Sequence, residues 1–105
     1  MSWTARPQVD EDLIAGRNFI QPDNPRAARA FLDAAFALFA RLARFPEMGA
    51  RARLKNRRLK KLRYFVMPPP FNRWLVFYEP LPRGVEIVHV SYGTMNWKQS
   101  PNLFN

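Results

Sequence analysis

Residues 72–93, NRWLVFYEPLPRGVEIVHVSYG, constrain the fold more than any other stretch. They hold two β-prone runs, 73–78 and 85–92, with Pro80, Pro82 and Gly84 between them as turn punctuation. Alternation along the first run sends Trp74, Val76 and Tyr78 one way and Leu75 and Phe77 the other. Both faces are apolar. The run therefore reads as a central strand covered on one face at least, with a second face that also calls for cover. The second run is mixed. Strict alternation groups Val85 and Ile87 with His89 and Ser91, and Glu86 with Val88, Val90 and Tyr92.

The segments before this hairpin supply the cover. Residues 2–5 read as a short edge strand. Pro7 fits the first turn of a helix. Asp10, Glu11 and Asp12 follow, where acids favour the positive end of the helix dipole. Val9, Leu13 and Ile20, with Gly16 between them, give a helical stripe. Gly16 costs about 1 kcal/mol against alanine inside a helix, which is tolerable if another helix passes close. Asn24 and Pro25 form an N-cap and first helical position, and Pro46 stops the second helix near Arg44. Phe31, Ala35, Leu38, Leu42 and Phe45 fall on one stripe. Leu32, Phe36, Phe39 and Ala43 form a second, so the helix is covered on more than one side. Gly49 loosens the chain beyond it. Residues 59–67 read as a strand with Leu62, Tyr64 and Val66 on one face, ended by three consecutive prolines.

The chain of 105 residues is expected to be one domain, 1–105. It has no cysteine, which excludes thiolate metal sites and disulfides and suits a reducing cytoplasm. The N-terminal dozen residues contain no apolar core of a secretory signal, and the most apolar run, 34–40, is too short to cross a bilayer. The net charge is +9, and residues 51–63 carry eight Lys/Arg with no acid. Such a run suits an anionic partner, nucleic acid or an acidic protein segment, or a merely solvated surface; charge alone does not choose.

The chemistry of a metal centre is missing: there is one histidine, no cysteine and no pair of acids at ligand spacing. The four glycines are isolated, so no phosphate-cradling loop exists. No cofactor is implied. One reaction needs neither a metal nor a cofactor. Clustered cations can bind a phosphodiester and stabilise its transition state while a ribose hydroxyl attacks. Arg63 and Arg73 would be the cations, with His89 and Tyr92 as the proton-transfer candidates. His89 and Tyr92 also have plain readings as packed strand residues.

The order of elements, two helices, a basic segment and then three antiparallel strands, resembles the RelE/ParE superfamily of type II toxins. The segment NPRAARAFLDAAFALFARLARFPEMG is similar to the second helix of ParE-type toxins, RRLKKLRYFVM to the strand after it, and RWLVFYEPLPRGVEIVHVSYG to their hairpin. The resemblance spans residues 7–97. It implies an α+β fold: an N-terminal αα-hairpin packed on a small antiparallel sheet of three to four strands. It implies a ParE-like toxin that binds an essential target such as DNA gyrase, inhibits growth, and is neutralised by a cognate antitoxin in a hetero-oligomer. The alternatives are a RelE-like, ribosome-dependent messenger endoribonuclease and a basic nucleic-acid-binding module. Tyr92, Met95 and Asn96 stand where family members often carry His, Arg and Asp. A methionine cannot neutralise a phosphate, which favours binding over catalysis. The residues expected to meet the antitoxin or target are Arg51, Arg53, Lys55, Arg57, Arg58, Lys60, Lys61, Arg63 and Arg73, with Phe36 and Phe39. The antitoxin segment should be acidic and amphipathic.

Overall fold

The protein, a computed structural model, is described over residues 2–52 and 60–93. Its elements are β1 (Ser2–Ala5), α1 (Pro7–Ile20), α2 (Pro25–Arg44), β2 (Ala50–Arg51), β3 (Arg63–Val66), β4 (Trp74–Leu81) and β5 (Gly84–Tyr92). They form one five-stranded sheet in the order β1-β5-β4-β3-β2. Strand β1 runs parallel to β5, with Ser2 opposite Gly84 and Ala5 opposite Ile87. The other pairs are antiparallel. The sheet is therefore mixed and larger than the three or four antiparallel strands expected. The edge strand expected over 2–5 is present as β1 but adds in parallel, and the extra strand is β2, which at two residues is too short to show any periodicity in sequence.

The helices start and stop where the chain's punctuation puts them. Pro7 opens α1, and Pro25 opens α2 with the Asn24 side chain accepting the Ala27 amide at 3.0 Å. Helix α2 buries Ala28, Phe31, Ala35, Leu38, Phe39, Leu42 and Ala43. Phe45 leaves this stripe. It is the C-cap, and its ring is 54% exposed. The crossing with α1 is close: a Cβ on Gly16 would lie 2.6 Å from the Phe31 ring.

Strand β4 is buried on both faces. Trp74, Val76 and Tyr78 join the helix-side core with Phe31, Leu38 and Phe39, whereas Leu75 and Phe77 pack with Ala52, Leu62 and Val88 on the other. Strand β5 departs from strict alternation. Phe77 faces His89 but Tyr78 faces Ile87, so Val88 has no residue opposite it. This bulge shifts the period by one. Val85, Ile87 and Val90 therefore all reach the helix side, and Tyr92 stacks on Trp74 at 4.6 Å. Strand β4 also continues through Pro80, beyond the end expected at Tyr78. Pairing with β3 ends at Tyr78, so Pro80 lies on a bare edge where its missing N–H costs no ladder bond.

Candidate functional site

The link from α2 to β2 is built around one buried phenol. Tyr78 donates to the Pro46 carbonyl at 2.7 Å and accepts the Gly49 amide at 2.8 Å. Burial raises the pKa of its hydroxyl above the usual value, against the opposing pull of the Gly49 amide and the Arg63 charge. Arg63 Nη1 donates to the carbonyls of Gly49 at 2.6 Å and Glu47 at 3.3 Å. Gly49 does not loosen the chain, as its type suggested. A Cβ there would lie 2.6 Å from both the Tyr78 hydroxyl and the Tyr64 carbonyl oxygen, so glycine is what lets the turn close.

Over this clamped turn lies an open groove of about 560 Å³. Arg44, Arg51, Lys61 and Arg63 line it, with Glu47 the one carboxylate among its lining residues. Phe45 and Leu81 contribute exposed apolar surface, 54% and 44%. The Arg44 guanidinium sits 5.7 Å over the Phe45 ring. Of the basic residues singled out in sequence, Arg51, Lys61 and Arg63 meet here. Lys60 is exposed but outside the lining, and Arg53, Lys55, Arg57 and Arg58 lie outside the described residues. Sequence reasoning missed Arg44; its position just before the Pro46 helix stop was the available signal.

The four residues considered for phosphodiester cleavage do not converge. Arg63 is opposite Tyr78, whereas Arg73 precedes Trp74, which is opposite Tyr92. Five strand positions separate the two arginine levels, about 16 Å along β4. His89 is held through Nδ1 by Asp12 at 2.6 Å and stacks on Phe77. Tyr92 stacks on Trp74 and meets the Phe19 ring at a tilt. Asp12 was read as one of three acids at a helix start. It instead bonds His89 and the Val90 amide.

The two phenylalanines expected at a partner surface part company. Phe39 is fully buried in the helix-side core and offers nothing to a partner, because α2 turns that position onto the sheet. Phe36 is 45% exposed and stacks on Trp3. With Leu13, Ile14 and Leu32 it lines a smaller groove of about 320 Å³ on the helical hairpin, flanked by Asp10 and Arg17. Among the described residues, no group of three or more His, Cys, Asp or Glu is placed to hold a metal ion. No described helix is long and apolar enough to cross a membrane.

Comparison with known proteins agrees with this architecture. A search of curated proteins finds no match. Among solved structures, one described as the chromosomal ParDE toxin–antitoxin system from P. aeruginosa superposes with a TM-score of 0.71 at 13% sequence identity. The match covers 90% of this chain and 97% of that one, and so establishes a shared fold. The profile of the ParE toxin of type II toxin–antitoxin systems, parDE, matches residues 4–97. With nearly its whole length inside that match, the chain belongs to the ParE toxin family.

Proposed function

We propose that this protein is a cytoplasmic toxin that arrests growth by binding an essential target, DNA gyrase, and that a cognate antitoxin neutralises it. The observation that carries the binding reading is the dispersal of the candidate catalytic groups. Arg63, on β3, is engaged with backbone carbonyls, while His89 and Tyr92, on β5 beyond the intervening β4, are engaged with Asp12 and with an aromatic stack. General acid–base catalysis needs such groups within hydrogen-bond reach of one reacting centre.

Two surfaces suit the antitoxin. The Ile14–Phe36 groove accepts the apolar face of a helix, and the Arg44–Arg51–Lys61 groove accepts an acidic, partly apolar stretch. The test is expression of the chain with and without its neighbouring antitoxin gene, alongside a gyrase supercoiling assay and messenger cleavage in a translating extract. His89→Asn keeps a donor for Asp12, and Tyr92→Phe keeps the aromatic stack. Both variants should arrest growth and inhibit supercoiling as the parent does. Messenger cleavage by the parent, lost in either folded variant, would replace this reading with the ribonuclease.

A further inference from the structure

The tip of the αα-hairpin carries a second basic hollow, of about 520 Å³, lined by Arg17, Gln21, Pro25, Arg26, Arg29 and Leu32. The local sequence explains the convergence. Arg17 lies in the last turn of α1. Arg26 and Arg29 are three apart in the opening turns of α2, so they share a face. The short connection between the helices brings both sets around one concavity.

Among the described residues, no carboxylate lines this hollow. Among the described residues the ion pairs are Arg6 with Glu79 and Glu86, and His89 with Asp12; none involves these three arginines. The side-chain bond they make among the described residues is from Arg17 to the Asn18 amide oxygen at 3.3 Å. The start of α2 carries no acid in its first turn, so the helix dipole adds to the positive field and does not offset it. The helix terminus is not itself the site: Asn24 already takes the Ala27 and Ala28 amides. Three guanidiniums around one hollow repel one another and leave most of their N–H donors to solvent. Each presents a planar fork matched to phosphate oxygens. A single phosphate meets three forks only where they close on one centre, whereas a chain of linked phosphates can meet three that are spread around an open hollow and arrive from two helices.

We propose that this hollow binds an oligophosphate of three or more linked phosphates. Inorganic polyphosphate and the triphosphate tail of a nucleotide share that chemistry. This site is separate from both surfaces assigned to the antitoxin save for Arg17 and Leu32 at its rim, and it does not depend on the toxin reading.

The experiment is thermal unfolding of the full chain titrated with sodium tripolyphosphate, with ATP, and with sodium sulfate at matched ionic strength. Tripolyphosphate should raise Tm saturably and sulfate should not. Arg26→Gln/Arg29→Gln should weaken the apparent Kd on the order of ten-fold or more, since two charge-assisted forks are lost. Arg17→Gln should weaken it in the same direction and serves if the double variant is unstable. Arg41→Gln/Arg83→Gln removes the same charge from the far end of α2 and the β4–β5 turn, and should bind like the parent. ATP competing with tripolyphosphate assigns the site to nucleotide tails; ATP without effect assigns it to the inorganic chain. An equal shift with sulfate, an adventitious ion only, overturns the proposal. So does equal weakening by the two charge-matched double variants, or unchanged binding when Arg26 and Arg29, or Arg17, are replaced.

Discussion

The carboxylate of Asp12 accepts the Nδ1–H of His89 at 2.6 Å and the Val90 amide at 2.9 Å, and Gln8 reaches its other oxygen at 2.9 Å. Strand β1 pairs with β5 only as far as Ile87, so Val90 lies beyond it on an open edge. Asp12 gives that amide its partner, just past the bulge at Val88. Burial alone would raise the pKa of this carboxyl. The bonds from His89, Gln8 and Val90 and the His89 charge together outweigh burial and hold it below its ordinary 3.8. A depressed folded pKa means that the unfolded chain binds the proton more readily. The stabilisation is then complete above the ordinary value and is lost as pH falls through the folded one. Thermal stability should therefore begin to drop as pH falls below about 5 and keep falling through and below the ordinary 3.8, and less steeply in Asp12→Asn, which keeps an oxygen for Val90 but cannot ionise. Asp12→Ala should cost about 1–3 kcal/mol, because the Val90 amide is stranded. Identical pH profiles for the parent and Asp12→Asn would remove the carboxylate from this role. None of this was legible in sequence. Asp12 stands beside Asp10 and Glu11, and its partner His89 is 77 residues away.

At the scale of elements, the two helices were legible because their caps and stripes are local. The spacing 28, 31, 35, 38, 42 puts one face of α2 on the sheet, and Leu38 is only 3% exposed there. Leu38→Ala should lower stability by about 2–5 kcal/mol in a denaturant titration; a loss below about half a kcal/mol would break the assignment. Gly16 was legible too, as a costly residue with a reason to be there. Propensity alone predicts that Gly16→Ala gains about 1 kcal/mol. The structure reverses the sign, because Phe31 is fully buried against that position and has no room to retreat. Overpacking of this kind costs about 1–3 kcal/mol, so Gly16→Ala should melt lower than the parent. A higher melting temperature would show that the helices separate freely. The edge strand at 2–5 was read correctly, whereas the β5 bulge and the other edge strand, β2, escaped for opposite reasons. A bulge breaks the period on which face assignment rests, and strands as short as β2 never establish one.

At the scale of the whole molecule, the excess of positive charge was plain, but where it gathers was not. A run of eight cations does not say which of them share a hollow; the Tyr78 clamp and the end of α2 decide that. They place Arg44 beside Arg51, Lys61 and Arg63, with Glu47 as the one acid in the lining. The net charge of +9 acts at long range, while under the proposed antitoxin reading these four side chains act at contact range. Rim ion pairs contribute little to final affinity but steer encounter, and salt screens that steering. An acidic antitoxin segment should thus associate faster at low ionic strength. Arg51→Glu/Lys61→Glu should slow association on the order of ten-fold there, and much less at high salt. Arg63 is the wrong residue to reverse, since its loss would release the 47–49 turn and confuse folding with steering. Asp12 is equally unsuitable as the acidic control because it is bonded within the fold. Asp23, exposed between the helices, is the better one, and Asp23→Lys should leave the low-salt rate unslowed. Stopped-flow mixing with the neighbour-encoded antitoxin measures all of these. A rate indifferent to salt and to the Arg51/Lys61 reversal would mean that the groove is not where the antitoxin first lands.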